Sequence, residues 1–224
     1  MTRKDLFIYA YEQIKKGRML DNYYRDNITG ADVYYELISN TLHIWVEPSN
    51  EMLDYETNFY ANSVNTKIGR FHKGYFIAAV RIIAEIEGLC FNSVIISGYS
   101  MGGGIVKVLT CIMADRYKYK YVRGVSMEGA KSINYRADRI LKKIKNAKLY
   151  TIVNNNDTVT KIPFNFVDGG EVVKIGNEQR RWWKTGIIFR IDLSQKNFFR
   201  KFLTIENHEY NDFKDNFMEY INEL

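Results

Sequence analysis

Short and nearly continuous apolar runs recur through the middle of the chain, at residues 92–97, 121–127 and 147–155. Runs of this length and character are typical of β-strands that are buried on both faces of a sheet. Between them, apolar residues recur every three or four positions in residues 101–117 and 134–146, which predicts two helices. Buried strands that alternate with helices predict a three-layer α/β fold, in which a central and mostly parallel sheet is flanked by helices.

The flanking segments predict further elements of both kinds. Residues 32–47 alternate between apolar and polar and are interrupted by Ser39-Asn40, which predicts two strands joined by a tight turn. Residues 171–176 and 186–192 predict two more strands, joined as a hairpin. Helical spacing of apolar residues predicts helices at residues 4–16, 74–88 (with Gly88 as the C-cap) and 209–224.

The organisation of the chain favours one compact unit. No repeat, low-complexity tract or linker divides the 224 residues, so residues 1–224 are expected to form a single domain. No signal peptide is evident, and no run of about 18 apolar residues predicts a membrane-spanning helix. Cys90 and Cys111 lack disulfide or metal-binding spacing, which predicts two buried thiols in a reducing compartment. We therefore expect a cytoplasmic protein, although release by lysis or non-classical export is compatible with the same sequence.

The charge of the chain narrows its partners only a little. The formal net charge of +6 favours anionic partners such as membranes, but a lysine-rich composition is the simpler explanation. Peripheral contact with an anionic membrane is left open, nucleic-acid binding is not expected, and the oligomeric state is not predicted. The three histidines are widely separated and no H-E-x-x-H motif occurs, so no metal or other cofactor is expected.

The pentapeptide Gly98-Tyr99-Ser100-Met101-Gly102 lies between a predicted buried strand and a predicted helix. In this setting G-x-S-x-G is the nucleophile elbow, a sharp turn that presents a serine hydroxyl above the end of a sheet. Side chains two positions from the serine would collide in such a turn, which explains the two flanking glycines. The alternative is a tight turn that carries an idle serine.

A nucleophilic serine needs a base, because its hydroxyl is hardly ionised at neutral pH. In this fold class the triad runs in the order Ser, Asp or Glu, His along the chain. His208 is the one histidine that follows Ser100, since His43 and His72 precede it. Asp157 follows an apolar strand and opens a polar turn, which suits an acid at the carboxyl edge of the sheet. The sequence therefore predicts a triad of Ser100, Asp157 and His208.

Several separated segments resemble the class 3 lipases, a family of α/β-hydrolase fold that includes secreted fungal lipases. Residues 96–109, ISGYSMGGGIVKVL, resemble the family's elbow G-H-S-L-G-G-A. Residues 154–163 resemble its acid loop, HEY at 208–210 resembles its terminal histidine segment, and residues 70–79 resemble the V-H-x-G-F before the nucleophile strand. The resemblance extends from about Asp32 to the C-terminal helix. It implies an α/β-hydrolase fold and ester hydrolysis by the same triad.

Two segments depart from the family's pattern. The family's strand ends in Arg-Gly-Thr or Arg-Gly-Ser, whose hydroxyl residue contributes to the oxyanion hole, whereas this chain has Glu47-Pro48-Ser49. The resemblance implies an oxyanion hole formed by the backbone N–H of Met101 and by Ser49. Residues 124–134, GVSMEGAKSIN, replace the family's G-x-P-R-x-G, so we expect the loop that supports the acid to be rebuilt.

These residues predict a serine hydrolase, a lipase or esterase that cleaves carboxylic esters of lipids through an acyl-enzyme. The segment that forms the lid in the family, residues 55–71 here, is short and polar, which favours soluble or short-chain esters over emulsified triglyceride. One alternative is a phospholipase A1-like enzyme or an acyltransferase that acts on anionic membrane lipids. Another is a non-catalytic binding protein of lipase fold.

A cluster of cations and indole rings could contact a membrane. Arg180, Arg181, Trp182, Trp183 and Lys184 are consecutive, and indole rings beside cations suit a membrane interface. The simpler interpretation is a twisted hairpin in which one tryptophan packs inward and the cations face water.

Overall fold

A computed structural model describes residues 1–48, 62–155, 157, 159–161, 163–176 and 213–224. Its strands are β1 Asn22–Arg25, β2 Ala31–Ile38, β3 Thr41–Pro48, β4 Ser63–Thr66, β5 Gly69–His72, β6 Ser93–Tyr99, β7 Tyr121–Met127, β8 Ala147–Asn154 and β9 Glu171–Ile175. Seven of them form one sheet in the order β1-β2-β3-β6-β7-β8-β9, and β4 and β5 form a separate hairpin.

Most of the sheet is parallel. The five strands from β3 to β9 in this order run parallel, while β1 and β2 add antiparallel pairings at one side. Tyr99 at the end of β6 pairs with Met127 at the end of β7, and Met127 pairs with Ile152 near the end of β8. The parallel strands therefore end together along one side of the sheet, which we call the carboxyl edge.

Helices cover both faces of this sheet. They are α1 Arg3–Lys16, α2 Lys73–Glu85, α3 Met101–Arg116, α4 Tyr135–Lys143 and α5, residues 213–223. Buried side chains of α2, α3 and α4, such as Ile82, Leu109 and Leu141, pack with one face of the sheet. Buried side chains of α1 and α5, such as Phe7 and Phe217, pack with the other face. The three-layer α/β fold predicted from the alternation of strands and helices is confirmed.

The first helix, α1, begins at a capping box formed by Thr2 and Asp5. The hydroxyl of Thr2 accepts a hydrogen bond from the backbone N–H of Asp5 at 3.1 Å, and the Asp5 carboxylate accepts one from the Thr2 N–H at 3.0 Å. Such reciprocal capping typically stabilises a helix by about 1 kcal/mol. The cap fixes α1 so that Phe7 is buried and meets the ring of Tyr150 edge-on, with ring centroids 5.2 Å apart.

Two details predicted from the sequence are wrong. α2 ends at Glu85 with Ile86 as its cap residue, and Gly88 lies beyond it without the positive φ of a glycine C-cap. Cys90 is exposed rather than buried, because it lies in the connection between α2 and β6 and not in an element of the core. Cys111 is buried on α3 as predicted, and burial raises the pKa of its thiol.

The structure also contains strands that the sequence pattern does not reveal. β1, β4 and β5 each have only four residues, too few to show the alternation that identifies a half-buried strand. The hairpin, residues 63–72, includes most of the second half of residues 55–71, the short polar segment that corresponds to the lid of the family. The predicted strand at 186–192 and the cluster at 180–184 lie outside the described residues. Within the described part of the chain, no helix is both long enough and apolar enough to cross a membrane.

Candidate active site

Ser100 occupies the single position between β6, which ends at Tyr99, and α3, which begins at Met101. Its backbone has φ 52° and ψ −119°, in the left-handed half of conformational space that residues with a side chain rarely adopt. The Ser100 N–H donates to the carbonyl oxygen of Met127 at 2.9 Å, and its own carbonyl accepts from the Gly104 N–H at 3.2 Å. A strand, a strained serine and a helix therefore follow one another without an intervening loop, as expected for a nucleophile elbow.

Glycine at position 98 permits this turn. A Cβ atom on Gly98 would lie 2.8 Å from the carbonyl carbon of Gly102 and 2.9 Å from a methyl group of Val106. Real Cβ atoms do not approach backbone atoms this closely, so any side chain at 98 forces α3 away from β6. The structure therefore confirms that a side chain at position 98 would collide with the start of α3.

We expect Gly98→Ala to destabilise the protein by about 2–4 kcal/mol, because overpacking against a rigid backbone cannot be relieved by rotamer changes. The same displacement of α3 should lower the hydrolytic rate. Chemical denaturation monitored by circular dichroism measures the first effect. Gly88→Ala is the control, since a Cβ there meets nothing within 4 Å and should change stability by less than about 0.5 kcal/mol. Equal stabilities for the two variants would contradict the close approach of α3 and β6.

Asp157 lies beyond the end of β8, at the same carboxyl edge of the sheet as Ser100. Its side chain is buried, with only 2% of the residue surface exposed. The backbone holds it in a tight turn, because its N–H donates to the carbonyl of Asn154 at 3.0 Å and its carbonyl accepts from the Thr160 hydroxyl at 3.1 Å. Two of the three residues of the predicted triad thus share one edge of the sheet. His208 lies outside the described residues.

Met101 is the first residue of α3, and its N–H belongs to the first turn, where helical N–H groups have no partner within the helix. Its sulfur accepts a hydrogen bond from the hydroxyl of the fully buried Tyr75 at 3.2 Å. This contact anchors the start of α3 directly after Ser100. The second predicted donor of the oxyanion hole, Ser49, lies outside the described residues.

A family model described as Lipase (class 3) matches residues 28–167, which is more than half of the chain. The chain belongs to the class 3 lipase family. The match includes the elbow and the acid loop that carried the resemblance in the sequence. A sequence comparison with curated proteins gave no match.

Solved lipases share the fold of this class 3 lipase at low sequence identity. A triacylglycerol lipase from Penicillium expansum superimposes with a TM-score of 0.58 at 11% identity, covering 77% of this chain and 78% of that one. The Rhizomucor miehei lipase in its propeptide complex gives 0.55 at 13% identity, covering 78% and 66%. The M37 lipase gives 0.53 at 10% identity, covering 73% and 70%. Similarity at this level shows the common α/β-hydrolase fold, as the resemblance implied.

Sequence reasoning missed a buried carboxylate beside the elbow of this class 3 lipase. Glu128 directly follows β7, is 2% exposed, and has a positive φ of 49°. Its Oε2 accepts a hydrogen bond from the Tyr99 hydroxyl at 2.5 Å, and its backbone N–H donates to the carbonyl of Ile152 at 2.9 Å. A glutamate placed immediately after an apolar strand, in the segment that departs from the family pattern, was the available signal.

A buried lysine was missed as well. The side chain of Lys107 on α3 has no exposed surface, and its Nζ donates to the carbonyls of Gly129 at 2.8 Å and Ala130 at 3.2 Å. The same Nζ lies 3.6 Å from Oδ1 of Asp168. Burial lowers the pKa of Lys107 to about 8, although the attraction of Asp168 opposes this shift. Lys107 therefore ties the helix behind Ser100 to the loop after β7 and to the segment before β9.

The remaining histidines have structural surroundings. The Nδ1 of His43 lies 2.7 Å from the hydroxyl of Tyr9 on α1, and burial lowers the pKa of this imidazole. His72 immediately precedes α2, and its ring lies 4.8 Å from that of Tyr75. Among the described residues, no group of three histidine, cysteine or acidic side chains is placed to hold a metal ion.

Proposed function

We propose that this protein is a serine hydrolase that cleaves carboxylic esters of lipids through an acyl-enzyme on a triad of Ser100, Asp157 and His208. The observation that carries the proposal is the strained backbone of Ser100 between β6 and α3. Strain of this kind costs about 1–3 kcal/mol and clusters at functional sites. Membership of the class 3 lipase family supports lipid esters as the substrate class.

The proposed reaction proceeds in two acyl-transfer steps. The Ser100 Oγ attacks the ester carbonyl while His208 takes its proton, and the resulting tetrahedral intermediate collapses as the imidazolium returns the proton to the leaving alkoxide. Water then attacks the acyl-enzyme with His208 again as the base, and the acid is released as Ser100 recovers its proton. Asp157 orients the imidazole and stabilises its charged form.

The start of α3 supplies the proposed oxyanion hole. The backbone N–H of Met101 lies at the positive end of the helix dipole, where developing negative charge is stabilised. We propose Ser49 as the second donor, following the hydroxyl residue of the family. Loss of one such donor typically costs about 2.7–4 kcal/mol of transition-state stabilisation.

The position of α5 supports His208 as the base. Phe213 at the start of the described part of α5 lies against Tyr99, with ring centroids 5.6 Å apart. His208 precedes Phe213 by five residues, and five residues of chain span at most about 17 Å. A base at position 208 is compatible with this chain length, which supports the proposal.

A fluorophosphonate probe tests the proposal directly. We expect stoichiometric labelling at Ser100, identified by peptide mass spectrometry, together with hydrolysis of p-nitrophenyl esters that is faster for short acyl chains than for long ones. His208→Ala should remove both, because Ser100 then has no base. A folded protein that resists the probe and hydrolyses none of the esters would instead support a non-catalytic binding protein of lipase fold.

A second candidate function, action on anionic membrane lipids as a phospholipase A1-like enzyme or an acyltransferase, is favoured by one cavity. It has a volume of about 420 Å³, and Arg70, Lys131, Tyr135 and Phe164 are among the residues that line it. The two aromatic residues are 74% and 76% exposed, and exposed rings beside cations suit contact with an anionic membrane. Faster acyl release from phosphatidylglycerol vesicles than from phosphatidylcholine vesicles would support this candidate over a simple esterase.

A further inference from the structure

We propose that this protein docks on anionic lipid bilayers through a basic surface at the edge of the sheet opposite Ser100. The surface consists of residues 116–123 and 142–148, which we call the basic edge. The inference concerns binding alone and does not depend on the proposed hydrolysis. It orients the serine toward water and away from the bilayer that holds the protein.

The positive charge of the chain is concentrated in these two segments. They contain eight lysine and arginine residues and no aspartate or glutamate. The rest of the chain has 24 cations against 26 acidic side chains, so the basic edge accounts for the whole positive balance of the protein. A composition that is merely rich in lysine would spread its cations over the entire surface. The observed concentration favours a polyanionic partner.

The fold brings the two segments together at the amino ends of the parallel strands. One segment includes the start of β7, and the other includes the start of β8. The carbonyl of Asn146 accepts hydrogen bonds from the Val122 N–H at 2.9 Å and from the Arg123 guanidinium at 3.0 Å. The neighbouring strand β6 has seven residues, a length of about 23 Å, and it ends directly before Ser100. The basic edge and the candidate active site therefore lie at opposite ends of the strands.

Most cations of the basic edge have no acidic partner. Three of the eight pair with carboxylates: Arg116 with Glu87, Lys118 with Asp115, and Lys142 with Asp138. Within the part of the chain that the structure describes, no carboxylate pairs with the other five, which are Lys120, Arg123, Lys143, Lys145 and Lys148. The last three are also exposed to solvent. Their charges are therefore available to an external anion.

Aromatic rings hold one of these cations in place. The Nζ of Lys120 lies 3.7 Å from the ring centroid of Phe91 and 4.9 Å from that of Tyr117. The two rings meet edge-on, with centroids 5.6 Å apart. A cation over an aromatic face is attracted to the ring and keeps its charge. The basic edge thus presents a positive charge whose position is fixed before a partner binds.

Exposed tyrosines and an apolar groove favour a bilayer over a nucleic acid. Tyr119 is 96% exposed and Tyr121 is 56% exposed, and tyrosine rings beside cations are typical of membrane interfaces. A groove of about 450 Å³ is lined both by lysines such as Lys145 and by apolar side chains such as Ile144 and Leu149. A nucleic acid would match the charges and leave the apolar lining in water, whereas a bilayer offers anionic headgroups and acyl chains together.

Vesicle sedimentation tests the proposal. All proteins carry Ser100→Ala, so that hydrolysis does not alter the lipid. We expect the protein to bind vesicles of equal parts phosphatidylglycerol and phosphatidylcholine far more tightly than vesicles of phosphatidylcholine alone. One lysine near an anionic surface strengthens binding about fivefold. The triple variant Lys143→Gln, Lys145→Gln, Lys148→Gln should therefore bind about 100-fold more weakly, and salt should weaken the binding of the parent protein.

A variant of equal net charge is the matched control. The changes Lys15→Gln, Lys73→Gln and Lys214→Gln remove three exposed lysines on α1, α2 and α5, outside the basic edge. We expect this control to bind less than about fivefold more weakly than its parent. Both triple variants should unfold at the denaturant concentration of the parent, because exposed side chains contribute little to stability. Equal losses of binding in the two triple variants overturn the inference, since the attraction then depends on net charge alone.

The exposed thiol of Cys90 reports the orientation of the bound protein. Cys90 lies two residues before Asn92, whose carbonyl accepts a hydrogen bond from the Tyr121 N–H at 3.2 Å. A polarity-sensitive maleimide dye on Cys90 should therefore shift its emission to the blue on anionic vesicles. The same dye on Lys73→Cys, in a Cys90→Ser background, should not shift, because α2 begins at the carboxyl edge of the sheet.

Three further results would overturn the inference. One is the absence of binding to anionic vesicles. Another is a blue shift from the dye at position 73 with none from the dye at position 90, which would place the bilayer at the carboxyl edge. The third is tighter binding to a mixed-sequence oligonucleotide than to anionic vesicles at the same salt concentration. A wild type that is inactive toward esters would contradict the proposed function alone, because none of these measurements uses hydrolysis.

Discussion

Replacing Ser100 by alanine or by glycine is expected to lower kcat for ester hydrolysis by about 10⁴-fold or more, because no other group can form the acyl-enzyme. The two variants should differ in stability in an unusual order. Glycine tolerates the φ of 52° at this position, whereas alanine retains the strain of a side chain there. We therefore expect the free energy of unfolding of Ser100→Gly to be about 1 kcal/mol higher than that of Ser100→Ala.

This order is diagnostic because it reverses the usual one. Within regular elements glycine is less stable than alanine by about 0.5–1 kcal/mol. Urea denaturation of the two variants, alongside initial-rate assays, measures both effects on the same preparations. If alanine is the more stable residue, Ser100 does not have the left-handed backbone of an elbow. If kcat stays within tenfold of the wild type, the nucleophile is another residue.

Replacing Lys107 by methionine is expected to destabilise the protein by roughly 2–4 kcal/mol at pH 7. Methionine fills a similar volume but leaves the carbonyls of Gly129 and Ala130 without the donor they have in the wild type, and leaves Asp168 without its ion pair. Loss of this tie should also loosen the loop that begins with Glu128, so kcat should fall together with stability.

The difference in free energy of unfolding between the wild type and Lys107→Met should grow as the pH rises. Burial lowers the pKa of Lys107 from 10.5 to about 8, so between these values the unfolded chain binds a proton that the folded protein does not. The contribution of this pKa shift to the free energy of unfolding of the wild type is fully present above pH 10.5 and is lost as the pH falls through about 8. The advantage of wild type over Lys107→Met should therefore increase by up to about 3 kcal/mol from pH 7 to the alkaline end.

Denaturant titrations at several pH values between 7 and 10 provide the measurement. Lys143→Met is the control, because the exposed side chain of Lys143 keeps its amine in water in both states. A difference between wild type and Lys107→Met that is constant with pH, or that shrinks, would show that the ammonium group carries no penalty of burial.

The central strands β6, β7 and β8 could be predicted because most of their residues are buried, so that each forms a nearly continuous apolar run in the sequence. The elbow could be predicted because its turn demands glycine at position 98, where a Cβ would strike the backbone of α3. The β4–β5 hairpin was not predicted because each of its strands has only four residues, too few to show an alternating pattern, although Phe71 on β5 is buried in the core. Local patterns therefore say little about strands as short as these.

The partners of single side chains were the hardest to predict. Lys107 is a lysine within an apolar helix pattern, and nothing in the linear sequence indicates that its ammonium group reaches the carbonyls of residues 22 and 23 positions later. Glu128 has the same difficulty, since its contact with Tyr99 joins the ends of two neighbouring strands. Ser100 and Asp157 could be proposed because the elbow motif marks the first and the end of an apolar strand marks the second, whereas the surroundings of Lys107 and Glu128 depend on tertiary contacts alone.

The contrast between the two cysteines offers a practical handle. Cys111 is buried within α3, while Cys90 is exposed to solvent just before β6 begins, at the end of that strand remote from Ser100. A maleimide reagent would accordingly modify the native protein at one defined point. Attachment to a solid support through that thiol would direct the carboxyl edge of the sheet, where Ser100 lies, away from the support.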